Sequence, residues 1–336
     1  MTLPKPPGWS IDHTRSLFFL GSCFAETLSS RLQACKFSVL ANNHGIAFNP
    51  ISISQALVHA ATPGKAFDDA THVFEGHADK TIYHSWLHHT SFSRLTREAV
   101  VNNINAVNRD AQQHFTHTSV VFITLGTAFV HSLVATDGGV GAGVVANCHK
   151  QPSSLFRKSL LTVSDVVAAL DAAISTAAAS NPRIQVVLTV SPVRHTKEGL
   201  AENARSKAVL LLAAHELVDR HPGRVTYFPA FELFVDQLRD YRWYEADMIH
   251  PSPAAQTIVF DAFCDAFLND RARAALKVVK AVQLDMGHRP TEHLAGSGAY
   301  RRHLARTLEK TEQAQHDFAG EIDFSSEIEW LKNRLQ

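Results

Sequence analysis

Five short apolar runs, the first four each cut off by a glycine or a polar pair and all separated by helical sequence, direct this chain towards a parallel sheet covered on both faces. Residues 16–20 (SLFFL) end at Gly21, and 37–41 (FSVLA) give way to Asn42-Asn43-His44. Residues 119–125 (SVVFITL) stop at Gly126, 184–190 (IQVVLTV) are halted by Ser191-Pro192, and 224–228 form the fifth run. The expected fold is therefore a three-layer α/β/α, doubly wound parallel sheet of five strands.

The intervening segments carry helical spacing. Phe24, Leu28 and Leu32 share a face, a helix is expected over 96–114, and another over 162–179 with Ser164 as cap and Val166, Leu170, Ala173, Ile174 and Ala177 as its apolar stripe. A long helix follows at 202–220, and Ser252-Pro253 opens one whose Phe260, Phe263, Cys264 and Phe267 close the core. Residues 62–92 read as a polar, His-containing insertion, and 136–143, with their four glycines, as a turn or hairpin tip. Beyond 285 the sequence turns charged, with helical patterns at 300–318 and 325–335. The expected organisation is a main domain over 10–285, including an insertion and helix over 60–118, and a helical C-terminal appendage over 286–336 that packs on the domain or mediates self-association.

Of 336 residues, 45% are hydrophobic and 19% charged, enough to bury a large core without covalent staples. Lys plus Arg equals Asp plus Glu at 32 each, which argues against nucleic acid or an anionic membrane surface as partner. Residues 1–11 lack the apolar run of a signal peptide, and no stretch approaches the roughly 20 apolar residues of a membrane span. The four cysteines are dispersed with no C-x-x-C. The expectation is a cytoplasmic, reducing setting. The 20 histidines raise a metal site as a question. His84 and His88 have the i, i+4 spacing of some zinc ligands, but no third ligand shares their frame, so His84, His88 and His89 read as polar insertion residues and no cofactor is expected.

Side chains that act on ligands in a doubly wound sheet lie just past the carboxyl ends of the strands. Ser22 and Cys23 follow the first strand, Gly45 the second and Gly126 the third, while Asp247 and His250 follow the fifth. A nucleophile between a strand and a helix gains from the unpaired amides of the helix start, and a thiol gains most, since thiolate is the attacking species. Gly21 allows the tight turn. Asp247 and His250, three apart, suit an orienting carboxylate and a base, with Pro251 stiffening the loop. The plainer readings are a core thiol for Cys23, a helix cap for Ser22 and a surface ion pair for Asp247 and His250. Asn147 and Cys148 read as cleft lining, Arg194 and His195 as strand-end residues that either hold an anionic group or serve as caps and surface residues, and Tyr241, Trp243 and Tyr244 as packing for the loop of Asp247 and His250, with stacking on a sugar as the alternative use of the same rings.

Gly21-Ser22-Cys23-Phe24-Ala25 resembles the signature of the GSCFA family. Gly45-Ile46-Ala47-Phe48-Asn49-Pro50, Leu125-Gly126-Thr127, Asn147-Cys148-His149-Lys150, Ser191-Pro192-Val193-Arg194-His195 and Asp247-Met248-Ile249-His250-Pro251-Ser252 extend the resemblance, in order, across 16–268. The chain is also similar to the wider SGNH/GDSL hydrolases. That likeness implies a flavodoxin-like strand order 2-1-3-4-5, and esterase, lipase or acyltransferase activity on a small-molecule, glycan or lipid acyl ester. In that superfamily the first block places serine two residues after the glycine, so here the position falls on Cys23 rather than Ser22. Its third block supplies an asparagine, where this chain has Thr127 and Ala128. An oxyanion hole would then draw on the amides of Cys23 and Gly45, with Gly126, Thr127, Asn147 and His195 as further candidates. The reading that follows is acyl-group hydrolysis through a covalent intermediate. Transfer to a hydroxylated acceptor, a non-catalytic ligand-binding protein and a metal-dependent hydrolase are the alternatives.

Overall fold

The computed structural model describes residues 8–67, 72–77, 79–134, 143–291 and 297–336. In chain order come β1 (Ser16–Gly21), α1 (Cys23–Ala34), β2 (Ser38–Ala41), α2 (Pro50–Ala61), β3 (Val73–Glu75), β4 (Tyr83–Ser85) and α3 (Arg97–His117). Then follow β5 (Thr118–Leu125), β6 (Phe129–Leu133), β7 (Val144–Val145), β8 (Phe156–Leu160), α4 (Val163–Ser180), β9 (Gln185–Val190), α5 (Leu200–Arg220) and β10 (Val225–Tyr227). A short α6 (Ala230–Glu232), α7 (Pro253–Phe267), α8 (Asp270–Gly287), α9 (Gly298–Asp317) and α10 (Ser325–Leu335) complete the chain.

The main sheet is β10-β9-β5-β1-β2, parallel at every junction. Counted along the chain, its strands lie in the order 2-1-3-4-5, so the expected flavodoxin-like α/β/α architecture is the one found. Side-chain parity explains the two cores. Phe18 and Leu20, Val121, Ile123 and Leu125, and Val186, Leu188 and Val190 enter the cluster packed by α2, α3, α4 and α5. Leu17 and Phe19, Val120 and Phe122, and Val187 point the other way, onto α1 and α7. Phe19 and Phe122 stack at 4.4 Å between ring centroids, and Phe263 lies 5.2 Å from Phe122. Burial of each such ring contributes about 2–3 kcal/mol.

Three details differ from the sequence expectation. Helix α2 was not foreseen, because Ile51-Ser52-Ile53-Ser54 alternates as a strand would. Asn49, whose side chain accepts the Ser52 N–H at 2.9 Å, and Pro50 in the first turn start a helix instead. Helix α4 is capped by Thr162, not Ser164: Thr162 and Asp165 form a capping box, one residue pair earlier than the apolar stripe alone suggests. Contrary to the expectation that no stretch comes near membrane-span character, α4 is long and apolar enough by length and composition. Its Val166, Val167, Leu170, Ala173, Ile174 and Ala177 are buried in the core.

The insertion contains the β3–β4 hairpin, and an antiparallel sheet β7-β6-β8 follows β5. The glycine-rich turn expected at 136–143 lies, except for Gly143, outside the described residues. The C-terminal helices pack on the domain through Ala275, Val279, Ala314, Phe318, Ile322 and Phe324. Lys36 ties them to the β1–β2 crossover, pairing with Glu327 at 2.8 Å and lying 5.2 Å from the Phe324 ring centroid.

Candidate functional site

The turn from β1 into α1 leaves no room for a side chain at position 21. Gly21 has φ +131°, and a Cβ there would fall 2.1 Å from the Thr124 carbonyl oxygen on β5. Its N–H donates to Asn42 Oδ1 at 2.9 Å, fastening the end of β1 to the end of β2. We expect Gly21→Ala to destabilise the fold by about 3 kcal/mol or more, since both the backbone conformation and the space forbid the methyl group. A urea midpoint equal to that of the parent protein would refute this account of the turn.

Ser22 is buried, and its Oγ accepts the Phe24 N–H at 3.3 Å as the cap of α1. Cys23 is the first residue of the helix and is partly exposed. Its own N–H finds no acceptor among the described residues, as the geometry of a helix start requires. The expected depression of the Cys23 thiol pKa does not hold. Burial pushes it up; the Phe24 and Cys23 amides pull it partly back, Glu26 adds to the rise and Lys207 opposes it. Desolvation of a thiolate here outweighs the helix amides.

Asp247 and His250 form a closed local unit. Asp247 Oδ2 lies 2.6 Å from His250 Nδ1, while Oδ1 accepts the backbone N–H groups of Ile249 at 2.8 Å and His250 at 3.0 Å. Those bonds, the His250 side chain first, hold the Asp247 carboxyl down at about 2. With Nδ1 committed to the carboxylate, Nε2 is the free ring nitrogen. The aromatic segment packs this loop as expected: Ser252 N–H donates to the Trp243 carbonyl and Glu245 N–H to that of His250. Arg194 lines the neighbouring cavity and also holds the loop. Its guanidinium lies 4.1 Å from the Tyr244 ring centroid and donates to the Met248 carbonyl at 3.2 Å, clamping the loop to the end of β9.

Thr127, Asn147, His195 and Ile249 lie together on a cavity of about 380 Å³ at the carboxyl ends of β5 and β9. Its floor is apolar, from Phe48, Phe129 and Val145. Cys148 lies on the wall; Cys23 and His250 do not line it, Cys23 lying past the carboxyl end of β1 and His250 next in sequence to Ile249, which does. The oxyanion expectation needs correcting. The Gly45 N–H donates to the Asn42 carbonyl at 2.7 Å, and a Cβ on Gly45 would fall 2.2 Å from His89 Cβ, so this glycine makes a tight turn against the insertion rather than offering an amide. The Gly126 and Thr127 N–H groups both donate to the Phe48 carbonyl at 2.9 Å, and the Thr127 hydroxyl is 3.0 Å from Ser206 Oγ. Asn147 Oδ1 accepts the His149 N–H at 2.8 Å. His195 Nε2 is buried without a partner among the described residues, and its imidazole is held neutral, lowered to about 4 by burial first and then by Lys207 and His250.

Two features escaped the sequence reading. Lys207, on α5, is 2% exposed and reaches this end of the sheet. A histidine cluster lies behind Gly45: His44 Nε2 is 3.2 Å from His59 Nδ1, and the His44 and His88 rings are 4.3 Å apart. His84 and His88 do not share a helical face, since the segment is the end of a hairpin and a turn; His84 Nδ1 meets Ser93 Oγ and His88 Nδ1 meets Ser85 Oγ. Among the described residues no three His, Cys, Asp or Glu side chains are arranged to hold a metal ion.

Comparison with solved structures finds a carbohydrate esterase family 3 protein from Talaromyces cellulolyticus, 8% identical over 80% of this chain and 99% of that one, with a TM-score of 0.34. It also finds the acetyl xylan esterase Est2A from Butyrivibrio proteoclasticus, 10% identical over 82% of this chain and 65% of that one, again with a TM-score of 0.34. At that level neither bears on activity or substrate. No curated protein sequence matches significantly. The sequence model of the GSCFA family matches residues 16–263, and that of the GSCFA domain protein C-terminal domain matches 279–336. Since the first match spans the whole sheet, the turn holding Cys23 and the loop holding Asp247 and His250, the chain belongs to the GSCFA family.

Proposed function

We propose that this protein hydrolyses an acyl ester through a covalent acyl-enzyme, with Cys23 as nucleophile, His250 as base and acid, and Asp247 as the group that orients His250. The single observation that carries the reading is the Asp247–His250 unit. A carboxylate with one oxygen on Nδ1 at 2.6 Å and the other on two backbone amides presents a fixed imidazole whose Nε2 is free to take a proton. Because burial pushes the Cys23 thiol up, its proton must leave as the carbon–sulfur bond forms, which is the work of a general base.

In this scheme the Cys23 sulfur attacks the ester carbonyl and its proton passes to His250. The developing oxyanion is met by the Cys23 N–H and by His195, whose neutral ring supplies an Nε2–H donor. His250 then returns the proton to the leaving alkoxide. Water, deprotonated by His250, releases the acid and restores the thiol. A hydroxyl of a sugar or lipid in place of water would make the same intermediate a transferase.

Mixing the protein with p-nitrophenyl acetate should give a burst of p-nitrophenolate equal to the enzyme present. Rapid acid quenching and peptide mass spectrometry should then place the acetyl group on Cys23. The engagement of the Gly45, Gly126 and Thr127 amides within the protein favours one rival, a ligand-binding protein that lacks an adequate oxyanion hole. Stabilisation by acetylated sugars or lipids with neither burst nor adduct would establish that rival and end the hydrolase reading.

A further inference from the structure

Lys207 is buried, yet no carboxylate among the described residues pairs with it. Its Nζ lies 2.7 Å from the Gly126 carbonyl oxygen and 2.7 Å from that of Ser191. These residues immediately follow β5 and β9, so the amine bridges the carboxyl ends of two neighbouring strands. A neutral amine has two N–H donors and a lone pair, and two carbonyls satisfy its donors in full. An ammonium brings a third donor and a whole charge into a dry site, which is unfavourable unless an anion is near.

The group able to become that anion is Cys23. The register of β1 on β5 sets Gly21 beside Thr124, which brings the residues that follow, Ser22-Cys23 and Leu125-Gly126, to the same edge. Each group acts on the ionisation of the other. Burial lowers Lys207 to about 7 while Cys23 opposes the fall, and burial raises Cys23 while Lys207 opposes the rise. Glu26 on α1 also raises Cys23, and Lys207 also lowers His195 beyond β9.

We propose that Lys207 is the charge partner of Cys23: the amine held between the Gly126 and Ser191 carbonyls gains a proton when the thiol loses one, so that the site passes from S–H and NH2 to S⁻ and NH3⁺ without burying net charge. One S–H bond breaks and one N–H bond forms: during turnover the thiol proton leaves to His250, in the resting site to solvent at the partly exposed sulfur, and the amine takes up an equivalent proton. No hydrogen bond joins Sγ to Nζ, so Lys207 acts through its field and is a positioning residue. The inference rests on the proposed use of Cys23 as nucleophile.

The test is the pH profile of Cys23 alkylation by iodoacetamide in the full chain, resolved by peptide mass spectrometry with Cys148 as internal reference. In Lys207→Met and Lys207→Gln the midpoint for Cys23 should move up and the rate at pH 7.5 fall severalfold, with Cys148 unchanged. Gln keeps N–H donors for the carbonyls, so a Lys207→Gln profile that overlays the parent's would overturn the proposal. If neither variant folds, the amine of 15N-labelled Lys207 can be titrated by NMR in the parent and in Cys23→Ala. A lower midpoint in Cys23→Ala supports the pair, and equal midpoints overturn it. The alkylation readout needs no ester. A shifted profile without acyl turnover would retain the pair and remove the hydrolase, and turnover through Cys23 with an unshifted profile would do the reverse.

Discussion

Cys23→Ala is expected to lower ester turnover about 10³-fold or more, and His250→Ala to do the same, while Asp247→Asn costs about 10²–10⁴-fold. The sizes follow from the roles. Removing the sulfur removes the covalent route, and removing the imidazole leaves a thiol that burial holds protonated. Asparagine at 247 would offer Nδ1 either a donor or a weaker acceptor, unfixing the tautomer. Because the Asp247 carboxyl is held at about 2, it stays ionised across any ordinary assay range, so an acidic loss of activity would have to arise elsewhere. Ser22→Ala should cost only about 1 kcal/mol of stability, the usual effect of losing a helix cap, and leave turnover within tenfold. Steady-state kinetics with p-nitrophenyl esters on the four variants would decide the matter. Full activity in Cys23→Ala together with a folded, inactive Ser22→Ala would transfer the nucleophile to the serine.

Acidification from pH 7.5 to 5 is expected to remove on the order of 5 kcal/mol of folding stability, a large share of the roughly 5–15 kcal/mol typical of a domain. The cause is the buried imidazoles. His44 is lowered to about 3, His149 to about 4 and His88 well below its ordinary value, in each case by burial first. His59 is lowered to about 4, again chiefly by burial and then by Lys65 and His72, and no carboxylate among the described residues bonds to these rings. The direction is set by linkage. Below the ordinary value of 6.5 the unfolded chain takes up protons that the folded chain refuses, so the contribution is complete above 6.5 and is lost as pH falls towards 4. Each of His44, His59 and His149 accounts for roughly 2 kcal/mol at pH 5 on that basis, and His88 acts in the same direction. Urea titrations at pH 7.5, 6 and 5, followed by circular dichroism, should show the midpoint falling at each step, and a constant midpoint would contradict this account of the cluster.

The strands of the main sheet were legible to within one residue at each end; for the three central ones the reason is that a strand buried on both faces is largely apolar and its run stops where the chain reaches the polar rim. Other elements were less legible. The β6–β8 sheet is short, and β8, with Arg157, Lys158 and Ser159 exposed, carries no apolar signature. Helix α2 opens with a strand-like alternation whose outcome Asn49 and Pro50 decide. The C-terminal helices were readable from their periodicity, whereas their seat on Lys36 and α8 was not.

The amino-acid order determined whatever depends on neighbours a few residues apart: the Ser22 cap, the turn at Gly21, and the Asp247–His250 unit, whose members are three apart and whose backbone amides complete it. Tertiary structure decided which groups remain free to act. The Gly126 and Thr127 amides go to Phe48, Gly45 is closed against His89, and Lys207, an unremarkable letter in a helix, reaches a carbonyl 81 residues away. Local bonds are set by spacing along the chain, but solvent exclusion and long-range donors arise only when the strands register and the helices pack, and those terms govern the ionisation of Cys23, His195 and Lys207.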